Sequence, residues 1–245
     1  MTAIAGLIRF DKAPIDRATL ERMVNLLQPY GRDAQHTRFE PHAAFLRTLL
    51  RITPEDSLDH QPLWHAERRT LCLFDGRLDN REELAQALGI APAELRLMAD
   101  SAVALHACLR WDTECVDRLL GDFALAYWQP QARRLWLARD PLGTRPLYWH
   151  RNAAGFAFAT LPKALFAIPG VRQHAASSAG LSACRRRRAG KTVHPVSRHP
   201  GRANRGALLC GQALTLHRPE EVARVLFDHL GGLLVRPGTA IRPCS

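Results

Sequence analysis

Thr2 follows the initiator methionine in the opening Met1-Thr2-Ala3-Ile4-Ala5-Gly6. Threonine is small enough for Met1 to be removed. A threonine at a chain terminus can attack a carbonyl with its own α-amine as general base. Its hydroxyl is far less acidic than a thiol, and the plain alternative is an inert residue of an N-terminal strand. A second polar group interrupts an apolar run at Phe74-Asp75-Gly76-Arg77-Leu78. The six cysteines, Cys72, Cys108, Cys115, Cys184, Cys210 and Cys244, include no CxxC spacing. No zinc site and no metal are therefore expected, and Cys72 reads as a buried strand residue.

These residues need elements to carry them. Ile4–Phe10 is short and apolar and runs into Asp-Lys-Ala-Pro, a strand and a turn. Asp16–Leu27 places Leu20, Met23, Val24 and Leu27 on one helical face. Ala43–Ile52 and Thr70–Leu78 read as strands. Asn80–Leu88 is predicted as a helix capped by Asn80 and stopped by Gly89. A second helix follows over Asp100–Leu109, with Asp100 as its cap. Phe123–Trp128 with Arg134–Arg139, and Leu147–Trp149 with Phe156–Ala159, are hairpin patterns. Strands in adjacent pairs with helices between them favour antiparallel sheets, an α+β fold.

The net charge of +11 is unevenly distributed. Residues 1–171 hold 21 Lys and Arg against 20 Asp and Glu, whereas residues 172–245 hold 13 against 3. The chain divides accordingly into a front domain, 1–171, and a basic tail, 172–245. The tail contains Arg185-Arg186-Arg187-Arg188, scattered His and Pro, and one helical pattern over Pro219–Leu234. Arginine without interleaved aromatics is not a nucleic-acid signature, so the tail is expected to be poorly structured or an out-of-frame translation of GC-rich DNA. The rival is a binding module acting through the tail. No run of 18 apolar residues exists, so no membrane span is expected, and the cytoplasm is the default compartment.

Four further segments carry a resemblance: Tyr30-Gly31-Arg32-Asp33, Asp75-Gly76-Arg77, Leu120-Gly121-Asp122-Phe123-Ala124, and Arg139-Asp140-Pro141-Leu142-Gly143-Thr144-Arg145-Pro146-Leu147-Tyr148. In this order, behind the opening strand, residues 1–171 resemble the N-terminal class II glutamine amidotransferase domain of the asparagine synthetase family. The resemblance implies the four-layer αββα sandwich of N-terminal-nucleophile hydrolases. It also implies structural roles for the last two segments, with turns at Gly121 and Gly143 and with Phe123, Trp128, Trp136 and Tyr148 packed between the sheets. The Thr-Ala-Ile-Ala-Gly opening and Thr53-Pro54-Glu55-Asp56 resemble the lasso-peptide cyclase branch.

The family's nucleophile is a cysteine at position 2, where this chain has Thr2. Its Asn-Gly-Glu is Asp75-Gly76-Arg77 here, and ionised Asp75 cannot donate a hydrogen bond to an oxyanion. The resemblance puts the grip on the substrate carboxylate near Arg47 or Arg51 and the grip on its amine at Asp100, with Arg77 in the same glutamine-binding region. The family's synthetase half carries a Ser-Gly-Gly-x-Asp-Ser loop, and no such segment occurs here. ATP and Mg are thus expected only for a synthetase domain or subunit outside this chain, and no cofactor within it. The expectation is a degenerate amidotransferase domain that docks on an ATP-dependent partner. The alternative is a live glutaminase using Thr2.

Overall fold

The computed structural model describes residues 2–171 and the strand segments 194–195 and 212–216. The chain starts with strand β1 (Ala3–Arg9), helix α1 (Arg17–Leu27) and the antiparallel pair β2 (Ala34–Glu40) and β3 (Ala43–Leu49). Next come β4 (Leu63–His65), β5 (Thr70–Leu78), and helices α2 (Arg81–Leu88), α3 (Pro92–Leu95) and α4 (Asp100–Trp111). The hairpins β6 (Gly121–Gln129) with β7 (Arg134–Arg139) and β8 (Tyr148–Arg151) with β9 (Gly155–Ala159) follow, and then α5 (Pro162–Leu165). Two tail segments, β10 (His194–Pro195) and β11 (Gln212–Leu216), add backbone pairings to β8 and β7.

The strands form two sheets, in the orders β10-β8-β9-β1-β3-β2 and β11-β7-β6-β5-β4. Strand alternation distributes their side chains over three apolar layers. In β1, Ala3, Ala5 and Leu7 face a cluster with Leu20, Met23, Val24 and Leu27 of α1, while Ile4 and Ile8 face the other sheet. In β5 and β6, Leu71, Leu73, Ala124, Ala126 and Trp128 face the first sheet. Cys72, Phe74, Phe123, Leu125 and Tyr127 face Val103, Ala104 and Ala107 of α4. The layers thus run helix, sheet, sheet, helix. Both faces of each sheet are covered, which is why the strands read as continuous apolar runs rather than alternating ones.

The local signals have identifiable causes. Asp16 caps α1, its carboxylate accepting from the backbone N–H of Ala18 and Thr19. Gly89 ends α2 in the left-handed conformation, φ 75°. Other expectations need correction. Asn80 is the N-cap residue of α2, as expected, but its side chain makes no capping hydrogen bond. Its side chain instead ties the end of β5 to the start of β6, donating to Arg118 O and accepting from Leu120 N–H. The N-cap of α4 is Ala99, and Asp100 turns back to β5. The strand predicted to Ile52 stops at Leu49. Of the four aromatics expected between the sheets, only Trp128 lies there. Phe123 and Trp136 face the helices, and Tyr148 packs on the α1 side. The physical reason is register: on β6, Phe123 is an odd number of residues from Trp128 and so points to the opposite face. The stretches 175–207 and 219–234, with Arg185–Arg188, lie outside the described residues, apart from the strand segment 194–195.

Candidate active site

One cavity of about 340 Å³ opens where β1, β3, β5 and the start of α4 converge. It brings together Thr2, Arg47, Asp75, Gly76, Arg77 and Asp100. Arg51 is not among its lining residues. It is exposed, and its backbone N–H donates to Asp33 Oδ2 at 2.7 Å. The backbone explains part of this convergence. Gly76 lies opposite Phe123 in the β5–β6 ladder, and a Cβ there would come within 2.0 Å of Asp122 O, so only glycine lets the two strands meet at the cavity floor.

Arg47 is buried on β3, but it is engaged by the protein itself. Its Nη2 donates to Asp59 Oδ2 at 2.5 Å and its Nη1 to Asp59 O at 3.1 Å. Asp59 also accepts from Ser101 Oγ at 2.7 Å and Gln61 Nε2 at 3.0 Å. Gln61 in turn bonds both Phe74 N–H and Phe74 O. A single network therefore joins β3, β5 and α4. Burial lowers the Arg47 pKa, and the neighbouring carboxylate of Asp59 opposes this.

Asp75 is different. It is 1% exposed, and neither carboxylate oxygen has a hydrogen-bond partner. Its nearest cation, Arg145, stands with Nη1 3.7 Å from Oδ1, an electrostatic contact beyond hydrogen-bond length. Burial pushes the carboxyl up to about 7, against the pull of Arg145 and Arg47. Near neutral pH, then, part of the Asp75 population carries a proton.

The remaining positions are likewise taken. Asp100 accepts from Leu78 N–H at 2.8 Å and pairs with Arg81, so it closes the end of β5. Its pKa is raised, chiefly by burial. Arg77 is largely exposed at the mouth, 3.3 Å from Asp79 and 3.7 Å from Asp122. The Thr2 hydroxyl accepts a long bond, 3.4 Å, from Leu50 N–H. Thr53–Asp56 forms a capped turn at the rim, where Asp56 accepts from the N–H of Ile52 and Thr53.

Arg145, Arg81, Asp59 and Ser101 also line the cavity, and the sequence analysis did not single them out. For Arg145 a signal was available. Asp140 within the Arg139–Tyr148 block is buried, and its carboxylate accepts from the N–H of Thr144 at 2.9 Å and of Arg145 at 3.0 Å. Gly143, at φ 67°, allows the turn. The block is thus a clamp that aims Arg145 at Asp75, besides being structural.

Among the described residues, no group of three or more His, Cys, Asp or Glu is placed to hold a metal. None of the helices described is long and apolar enough to cross a membrane.

Known proteins resemble this chain in sequence and in fold. The family model described as "Glutamine amidotransferase domain" matches residues 1–199. Asparagine synthetase [glutamine-hydrolyzing] 3 of Bacillus subtilis (strain 168) is 29% identical over 176 residues, which are 70% of this chain and 28% of that protein. A putative asparagine synthetase [glutamine-hydrolyzing] of Mycobacterium tuberculosis (strain ATCC 25618 / H37Rv) is 37% identical over 111 residues, 43% of this chain and 17% of that one. The chain therefore spans less than a third of the length of these relatives. Among solved structures, the glutamine phosphoribosylpyrophosphate amidotransferase of B. subtilis superposes with a TM-score of 0.53 at 16% identity, covering 67% of this chain and 43% of that one. The likeness is one of fold.

Proposed function

Because this chain belongs to the glutamine amidotransferase domain family, in its asparagine synthetase-like form, we propose that it retains the class II fold without hydrolysing glutamine. It serves as the docking and shaping partner of an ATP-dependent, amide-forming synthetase domain. The observation that carries this reading is Asp75, an acceptor without a hydrogen-bond partner, buried where the family places an oxyanion donor. Thr2 in place of the nucleophilic cysteine removes the preceding part of the same mechanism. Arg47 and Asp100, which would hold the two ends of glutamine, are bound to Asp59 and Arg81. The synthetase partner would bring ATP and Mg with it. Thr53–Asp56 makes the lasso-peptide cyclase type the first partner to test.

A second reading, hydrolysis by Thr2, has one observation in its favour. With its carboxyl at about 7, Asp75 is protonated in part of the population and can then donate a hydrogen bond. The base requires the opposite condition. An α-amine titrates near 7.7–8.0, so it is free mainly above the pH at which Asp75 loses its proton. The two requirements therefore overlap only in a narrow range of pH. Ammonia release from glutamine by the purified chain decides between the readings. We expect none above the uncatalysed background from pH 6 to 9. A bell-shaped rate peaking between about pH 7 and 8 and lost in Thr2→Ala would establish the second reading.

A further inference from the structure

Loss of glutaminase activity leaves Asp75 unexplained. A buried acceptor without a donor is costly, and proteins rarely retain one. Both oxygens of Asp75 are in this condition, and the residue lines the cavity. The cations beside it attract it but donate no hydrogen bond to it: Arg145 stays at 3.7 Å, and Arg47 is turned onto Asp59. The other polar groups around the cavity are paired among themselves, Arg81 with Asp100, Ser101 with Asp59, and Asp56 with two backbone amides. One more buried group is left over, the Nε–H of Arg47, a donor without an acceptor. The two orphans are complementary in kind. A ligand that satisfies both presents N–H donors to one and an oxygen to the other.

We propose that this pocket binds a small primary ammonium compound carrying an oxygen acceptor, of the amino-alcohol class, with its N–H groups on Asp75 and its oxygen on Arg47. The proposal rests on the reading that Thr2 does not turn over glutamine, and it names what the altered pocket takes instead. The exchange follows from the position of Asp75. A site that offers a donor there receives an amide oxygen, whereas a carboxylate there repels that oxygen and attracts an ammonium. The bond between ammonium and carboxylate is charge-assisted and water-excluded, the stronger class of hydrogen bond. A volume of about 340 Å³ admits such a compound with room to spare.

Titration of the full ¹⁵N-labelled chain with ethanolamine, followed by amide chemical shifts, tests this. We expect saturable shifts at Gly76, Arg77 and Ser101, at least about tenfold weaker binding in Asp75→Asn, and weaker binding of n-propylamine, which lacks the oxygen. The wild-type shifts locate the ligand even if the variant fails to fold. Absence of saturable shifts, shifts confined to other regions, or unchanged affinity in a folded Asp75→Asn would overturn the proposal. Equal binding of n-propylamine would overturn the role given to Arg47. Ammonia release from glutamine by the same sample would overturn the underlying reading instead, so the two failures are separable.

Discussion

Strand β5 passes from a dry core into the pocket within one residue. Leu71 and Leu73 face the opposite sheet and Cys72 and Phe74 the helices, each packed in an apolar cluster, although Phe74 also borders the cavity. Asp75 is buried to the same degree, yet its carboxyl finds no donor. The core half is held by area removed from water, which does not titrate with pH. The pocket half is held by charges and hydrogen bonds, whose worth depends on whether each partner is present. The contrast teaches that the pocket residues can be exchanged while the fold persists, because the layers that define the fold do not pass through them.

Substitutions on either side should separate these two halves. Phe158→Ala, between the sheets beside Phe45, should cost about 3–5 kcal/mol in chemical denaturation at any pH. Arg47→Met should cost about as much for a different reason, since it leaves Asp59 buried without its cation. The discriminating measurement is a double variant, Arg47→Met with Asp59→Leu. It should recover only part of the loss, because it removes the unpaired buried charge but leaves Ser101 Oγ without its acceptor. If Arg47→Met alone were nearly neutral, the pocket would not be held by this network, and the contrast with the core would fail.

The same division explains what could be read from the sequence. The core half was legible. Leu20, Met23, Val24 and Leu27 recur at helical spacing and do face the first sheet, and the two hairpins were evident from their apolar runs. β2 was missed because its residues are half-buried or exposed and show no apolar run, and β4 because it has only three residues. The face chosen by Phe123 and Trp136 depends on register, which a run of apolar residues does not encode. In the pocket, residue types pointed to positions that, Arg51 apart, line one cavity, but not to their partners. That Arg47 is bound to Asp59, twelve residues away through a turn, follows only from the path of the chain between β3 and β4.

Asp75→Asn probes the pocket through pH. The folded carboxyl titrates at about 7, above its ordinary 3.8. Between these values the folded state holds a proton that the unfolded state has lost, so wild-type stability falls as pH rises from about 4 to 7. Arg145 and Arg47 face the group and limit the fall. The total approaches about 4 kcal/mol at most, from roughly three units at 1.36 kcal/mol each. Asparagine cannot ionise. The variant should therefore match the wild type near pH 4 and exceed it by a few kcal/mol at pH 8. Parallel stability curves for the two proteins would mean that Asp75 finds a partner in solution.

The smallest effect belongs to the rim. Arg77 is 63% exposed, and its contacts with Asp79 and Asp122, at 3.3 and 3.7 Å, are solvent-screened. Such pairs contribute at most about 1 kcal/mol. Arg77→Glu restores the residue expected from the family resemblance and places it beside two acids. It should lower stability by less than about 1 kcal/mol, and added salt should shrink the difference further. It should also bring no ammonia release from glutamine, because neither a nucleophile nor an oxyanion donor is gained at depth. Assays of Arg77→Glu and of Thr2→Cys with Asp75→Asn therefore ask where the altered chemistry resides. Activity appearing with the rim substitution alone would locate the defect at the mouth of the pocket. Activity appearing only with the deep pair would locate it on β5 and at the start of β1, where the buried carboxyl and the threonine hydroxyl meet the cavity.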